Sequence, residues 1–362
     1  MGFRSFVWGG FESATHRRFD GARVDALESS GHPRSAVLDV ALLRSLGIRT
    51  IREAFRWHLV ERVRGVFDWS SARGQIEGAL ASDAEIIWDI CHWGVPDGLD
   101  VMAPEWPGRL ARFAGRAARM LRREGVRVGG WVPVNEMAFW AWAGGETGGF
   151  APFLLGQGDA LKQQFVLAHL AVVEALRAEG MAPRIIVSEP LIWIVPEVGD
   201  APEILRARQR MVGSLSAVDA ILTRDPSAID IVGLNFYPHN QWRADDARVL
   251  RGEPDYRPLR ELLLDMARRY AMPLALTETG AEEPDGPAWN DYVTEEVRAA
   301  RTGGADIRGV CIYPIQDYAG WDNGRHCECG PLGIRQGRRT LRAAHRQSIA
   351  RMQGAGGQPG SG

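Results

Sequence analysis

Short apolar runs rich in β-branched and aromatic residues alternate along the chain with longer stretches whose apolar positions recur at helical spacing. Eight runs read as strands: 5–10, 48–55, 85–90, 128–135, 184–189, 230–237, 274–278 and 309–315, recurring roughly every 35 to 55 residues. Helices are predicted between and after them, over 37–46, 71–82, 107–124, 258–270, 290–302 and 338–352. Two more have readable ends. One starts at Asp159, carries Phe165, Ala168, Val172 and Leu176 on one stripe, and stops at Gly180. The other opens at Asp200, with Pro202 and Glu203 behind it in capping-box fashion.

Strands that are apolar throughout, each joined to the next by a helix, need a parallel sheet covered on both faces. Eight such units close on themselves, which predicts an α/β fold of the (β/α)₈ TIM-barrel type in a single catalytic domain over 1–352. The Gly-rich segment 353–362 is expected to be a disordered tail. An open doubly wound sheet is the competing architecture, but no Gly-rich phosphate turn follows the first strand.

Length does not choose between two average domains and one barrel, because 362 residues accommodate a barrel of about 250 with insertions. Charge narrows the partners. With 43 Lys+Arg against 45 Asp+Glu the formal net charge is −2, so nothing recruits nucleic acid or an anionic membrane. No apolar run approaches about 18 residues, and MGFRSFVWGG leads into a strand without a signal peptide's apolar core; a cytoplasmic protein is expected. Oligomeric state is left open. The 13 Trp suit both cores and sugar faces. Cys91 and Cys311 lie in apolar strand runs and read as buried thiols, whereas Cys327 and Cys329 flank Glu328 after His326, as a structural loop or a metal site lacking further ligands.

In a barrel of this kind the carboxyl ends of the strands carry the active site. Strand four, WVPVNEM, ends in Asn135 and Glu136; strand seven, LALTETG, ends in Glu278. Two carboxylates across one pore suit glycoside cleavage with retention, which requires them about 5–5.5 Å apart. One must stay protonated as the acid while the other is ionised as nucleophile, and Arg52 on strand two is the candidate cation for the latter. Glu189, Glu12 and Glu53 are either further site acids or ion-pair partners, and His169, on an apolar helical face, reads as structural.

From residue 5 to about 334 the chain resembles the clan A glycoside hydrolases, closest to family 1, the β-glucosidase type, in a shortened form. FVWGG is similar to that family's first strand, and TIREAFRWHLVE to its second, with Arg52 at the active-site arginine. DICHWGVPDGL resembles the third-strand motif, in which His92 contacts a sugar hydroxyl and is followed by Trp93. PVNEM matches the acid/base motif at Asn135 and Glu136, and LTETG the nucleophile motif at Glu278. VGLNFYP is similar to the sixth strand, with Tyr237 bonded to the nucleophile and Asn235 lining the site.

The chain departs from that pattern where the family grips the outer hydroxyls of the sugar. Tyr313 takes the place of the first Trp of the last strand, Gly320 that of a Glu, and only Trp321 is kept; His16 replaces a first-strand Gln. Gln316, Asp317, Asp322, Arg325 and His326 are alternative sugar partners or loop stabilisers, and Trp93, Trp140, Trp142 and Trp321 either stack on sugar or pack. The resemblance implies a retaining, exo-acting β-glycosidase acting on a carbohydrate or glycoside, with no metal or organic cofactor. A transglycosidase with the same site is the alternative. A non-catalytic carbohydrate-binding barrel would have lost one Glu, and both are present.

Overall fold

In a computed structural model, which describes residues 2–197, 199, 201–336 and 338–357, eight parallel strands form the barrel. They are β1 (Val7–Gly10), β2 (Thr50–Ala54), β3 (Glu85–Cys91), β4 (Arg127–Val134), β5 (Ile186–Pro190), β6 (Ile231–Asn235), β7 (Leu274–Thr279) and β8 (Ile307–Ile312). All eight coincide with predicted runs. Their order is β4-β3-β2-β1-β8-β7-β6-β5, and β4 meets β5 through the parallel bridges Trp131↔Ile185 and Asn135↔Ser188, so the sheet closes on itself.

The strands are almost wholly buried because two apolar layers claim them. One side chain or more from β1 and from β3 to β8 fills the interior, including Trp8, Ile87, Val132, Ile186, Ile231, Ala275 and Cys311. Glycines make room there: a Cβ at Gly309 would stand 2.2 Å from the Trp8 ring, and one at Gly233 2.2 Å from the Val187 carbonyl. The opposite faces pack against helices α1 (His32–Ser45), α2 (Arg73–Ala81), α3 (Trp106–Glu124), α4 (Gly158–Ala178), α5 (Pro202–Gly213), α6 (Ser216–Arg224), α7 (Leu259–Tyr270), α8 (Gly286–Thr302) and α9 (His345–Gly354).

Pleat alternation decides which neighbours reach the site. Arg52 points into the barrel, whereas Glu53 points out, where it accepts from His32 of α1 (2.8 Å) and Gln75 of α2 (2.7 Å). His32 also meets Asp39 at 2.8 Å, which settles Glu53 as a structural partner. His169 is structural too, bonded to the Ala228 carbonyl at 2.9 Å.

Three helix ends differ from the sequence reading. α1 and α8 begin four or five residues early, each with a proline in its first turn, where the missing N–H costs nothing. The helix expected from 338 is a strand until Leu341: Arg338–Leu341 pairs antiparallel with Leu332–Arg335, and Arg339 crosses to Asp39 (2.5 Å), a tertiary pairing that outweighs local helical pattern. The tail begins later than expected, because α9 continues through Gly354; positions 358–362 lie outside the described residues. Asp200 also lies outside them, and Ala201 precedes the first turn of α5. Among the described residues no helix is long and apolar enough to cross a membrane.

Candidate active site

At the carboxyl mouth of the barrel, β2, β3, β4, β6 and β7 each deliver a polar side chain into one buried pit. Its centre is Arg52, 1% exposed, whose guanidinium is fully engaged. Nε and Nη2 donate to the two carboxylate oxygens of Asp89 (2.9 and 2.7 Å), and Nη2 also donates to Asn135 Oδ1 (2.7 Å). Nη1 donates to the Thr277 carbonyl (3.0 Å) and to Glu278 Oε1 (2.8 Å). A cation taken this far from water survives only with such paired, hydrogen-bonded partners.

The network fixes orientations that side-chain chemistry leaves ambiguous. Asn135 gives its oxygen to Arg52, so its amide nitrogen faces His92 Nε2 at 3.0 Å. Nε2 is then the acceptor, and the proton sits on Nδ1, which donates to Asp89 Oδ2 at 2.9 Å. Both ring nitrogens of His92 are thus occupied by protein partners, and the contact with a sugar hydroxyl implied for it would displace Asn135.

Glu278 is held at both oxygens, by Arg52 and by the Tyr237 hydroxyl, which donates to Oε2 at 2.8 Å. Glu136 is treated differently. Asn235 Nδ2 donates to its Oε1 at 2.8 Å, and the Asn235 oxygen accepts from the hydroxyls of Ser188 (3.0 Å) and Thr277 (2.7 Å), which fixes the amide that way round. Burial, followed by the nearby charge of Glu278, pushes the Glu136 carboxyl well above the ordinary carboxylate range. Glu136 also adopts φ +46°, a left-handed conformation uncommon for a residue with a side chain, and Trp93 adopts +64°. Strain of this kind concentrates at functional sites.

Aromatic groups wall the pit. The Tyr313 ring lies 5.4 Å from the Arg52 guanidinium and parallel to His92, and its hydroxyl accepts from the Ser13 N–H at 3.2 Å. It fits because two glycines stand aside: a Cβ on Gly10 would fall 2.3 Å from the ring, and one on Gly280 2.5 Å from the Tyr313 carbonyl. Trp321 meets His16, Trp93, Phe139 and Phe150 edge-on, with centroids 5.6 to 6.5 Å apart. Trp93 is pinned by its indole N–H, which donates to the Asn135 carbonyl at 3.1 Å. Burial drives the His16 imidazole down to about 3, so it is neutral.

Other candidates separate. Trp140 packs on Phe165 and donates to the Ala151 carbonyl, whereas Trp142 is exposed on the rim. Glu189 forms no ion pair among the described residues; its two oxygens accept from the Met137 and Ala138 N–H groups at 3.0 Å each, and burial raises it to about 8. Asp317 is consumed by the N–H groups of Cys329 and Ile334 and by Arg342. Asp322 and His326 are exposed, and Arg325 pairs with Glu282. Gln316 is fully buried with neither amide atom partnered. Cys327 and Cys329 are free and buried, and among the described residues no cluster of three or more His, Cys, Asp or Glu could hold a metal ion.

Asp89 was not singled out from sequence, although an acid inside the apolar run EIIWDIC, on the pleat face that points inward, was the available signal.

Fold and site together define a (β/α)₈ barrel with a buried acid pair at its carboxyl mouth. No family model matches the chain. It is 28% identical over 294 residues to the thermostable β-glucosidase B of Thermobispora bispora, an alignment that takes in 65% of this chain and 61% of that protein. It is 21% identical to β-glucosidase 6 of rice (Oryza sativa subsp. japonica), over 79% of this chain and 73% of the relative. In three dimensions it superposes on the family 1 β-glucosidase of Thermotoga maritima with a TM-score of 0.77, at 16% identity, over 98% of both chains. The chain is therefore similar in sequence to β-glucosidases and shares the (β/α)₈ fold of the family 1 β-glucosidase from Thermotoga maritima.

Proposed function

We propose that this protein is a retaining, exo-acting β-glycosidase in which Glu278 is the nucleophile and Glu136 the acid/base. The observation that carries the reading is the unequal treatment of the two carboxyls. Glu278 is clasped by a cation and a phenol, which favour a carboxylate ready to attack the anomeric carbon. Glu136 is buried and pushed upward, which favours a protonated acid able to donate to the departing oxygen.

In the first step the Glu278 oxygen bonds to the anomeric carbon as the glycosidic C–O bond breaks, and the Glu136 proton goes to the leaving oxygen. In the second, Glu136 takes a proton from water, whose oxygen displaces Glu278. Asn235 orients Glu136 throughout, and Arg52 takes up the charge returning to Glu278. The substrate class, a glycoside, is supported by the β-glucosidase names of the relatives. The four free, buried thiols support the expected reducing, cytoplasmic setting.

The test is Glu278→Gly with an activated aryl β-glycoside and azide. Restored turnover with a glycosyl azide product is expected; a wild type that turns over beside a variant that azide never rescues removes Glu278 from the role.

A further inference from the structure

Resting on the reading above, we propose that Glu12 and Gln316 form the subsite that selects the sugar, accepting from and donating to hydroxyls of a neutral glycone and disfavouring one that carries a carboxylate.

Both residues lie where β1 and β8 run out of the barrel side by side. The Ile315 N–H donates to the Gly10 carbonyl at 2.8 Å, which brings the segment holding Gln316 alongside the one holding Glu12. Glu12 is 5% exposed, and its Oε1 accepts from the N–H groups of Ser13 and Ala14, each at 3.0 Å. The Ser13 N–H is shared with the Tyr313 hydroxyl, so the carboxyl is fastened to the wall of the pit. Among the described residues no arginine or lysine forms an ion pair with it, and both hydrogen bonds to its side chain fall on Oε1. Burial, ahead of the nearby His92 and Glu278, pushes the Glu12 carboxyl above its ordinary range.

Gln316 has a complementary deficit. Its amide is fully buried and neither its oxygen nor its nitrogen has a partner, although buried polar groups are nearly always satisfied. An acceptor oxygen and an amide that both donates and accepts, carried on adjacent segments, are the set that two neighbouring hydroxyls would complete. His16, with an unpartnered Nδ1 next to Trp321, adds a third contact, itself neutral, on the same side.

Charge gives the sign of the selection. The pit sets the acidic side chains of Asp89, Glu278 and Glu12 against one guanidinium among the described residues, that of Arg52, which Asp89 and Glu278 already engage. A carboxylated sugar would therefore add a negative charge where no free cation waits among the described residues. The other charged candidates are absent from the pit, since Arg325 is committed to Glu282 at the surface.

The experiment compares wild type, Glu12→Gln and Gln316→Leu on aryl β-glycosides of the best neutral sugar, its mono-deoxy analogues and the corresponding uronide. Glu12→Gln should lower kcat/KM on the neutral parent by roughly ten- to hundredfold, the range for a hydrogen bond to a charged group. That loss should vanish on the one deoxy analogue missing the partner hydroxyl, and the neutral-to-uronide ratio should narrow. Equal losses on every analogue, or no loss on any, overturn the proposal.

A parallel titration of tryptophan fluorescence with a polyhydroxylated piperidine and its carboxylated counterpart reads the subsite without turnover. Tighter binding of the neutral compound, weakened in Glu12→Gln, upholds the subsite even if no glycoside is cleaved, a result that would instead sink the proposed chemistry. Preference for the carboxylated compound sinks the subsite alone.

Discussion

Replacing Tyr237 by Phe removes one hydroxyl and leaves the ring packed as before, including its parallel contact with His239 at 5.5 Å. What is lost is the 2.8 Å bond to Glu278 Oε2, while Arg52 keeps Oε1. A hydrogen bond to a charged group contributes about 1.5–3 kcal/mol. In the covalent intermediate Glu278 is an ester and the bond is weak; as the sugar departs, charge returns and the bond strengthens. Only that differential part accelerates the second step. If about half the charge has returned at the transition state, the loss is about 0.8–1.5 kcal/mol, or roughly four- to twelvefold in kcat. The first step loses less, since there the phenol also stabilises the starting carboxylate. Stopped-flow assay of an activated aryl glycoside should thus show kcat falling more than kcat/KM, with a burst of aglycone growing toward one equivalent per site. An unchanged kcat with a lowered kcat/KM and no burst would refute the assignment of Tyr237 and the covalent intermediate it serves.

Glu136→Gln should abolish the alkaline limb of the pH profile of kcat/KM, because the group whose carboxyl is raised by burial is gone. Activity on poor leaving groups should fall by about 10²- to 10⁴-fold, and far less on activated ones; equal losses on both would count against an acid role. His32 bears on stability. Burial alone would lower its imidazole, but Glu53 and Asp39 raise it to about 9. The folded state therefore holds the proton more tightly than the unfolded chain, so this stabilisation is complete below about 6.5 and is lost as pH rises through about 9. Melting temperature from pH 6 to 10 should drop more steeply for the wild type than for His32→Gln; parallel curves would contradict this. Gly233→Ala would press a methyl to 2.2 Å from the Val187 carbonyl and 2.5 Å from Thr277 Cγ2, under the hydroxyl that orients Asn235. Overpacking of this kind costs about 1–3 kcal/mol, and Tm should fall by about 1–4 °C. An unchanged melt would show that the barrel yields there.

The positions of the barrel strands were legible because burial on both faces makes the runs predominantly apolar, and an Asn-Glu or Thr-Glu at the end of such a run stands out. Helix starts were less so. Pro33 in HPRSAV fits a first turn and the loop before it alike, and Arg338–Leu341, which carries no apolar alternation, becomes a strand because Leu332–Arg335 lies beside it.

Residue type and periodicity by themselves pointed to the (β/α)₈ order, to Glu136 and Glu278 at strand ends, and to Arg52 as the cation beside Glu278. Tertiary structure alone decided the partners: that Asp89 shares Arg52 with Glu278, that His92 is tied at both nitrogens, that Asp317 is spent on its loop, and that both amide atoms of Gln316 are left unmatched. Periodicity reports which side of an element is buried. Hydrogen-bond partners come from strands tens to hundreds of residues apart, and their identity depends on the ångström-scale closure of the barrel, which no local pattern encodes.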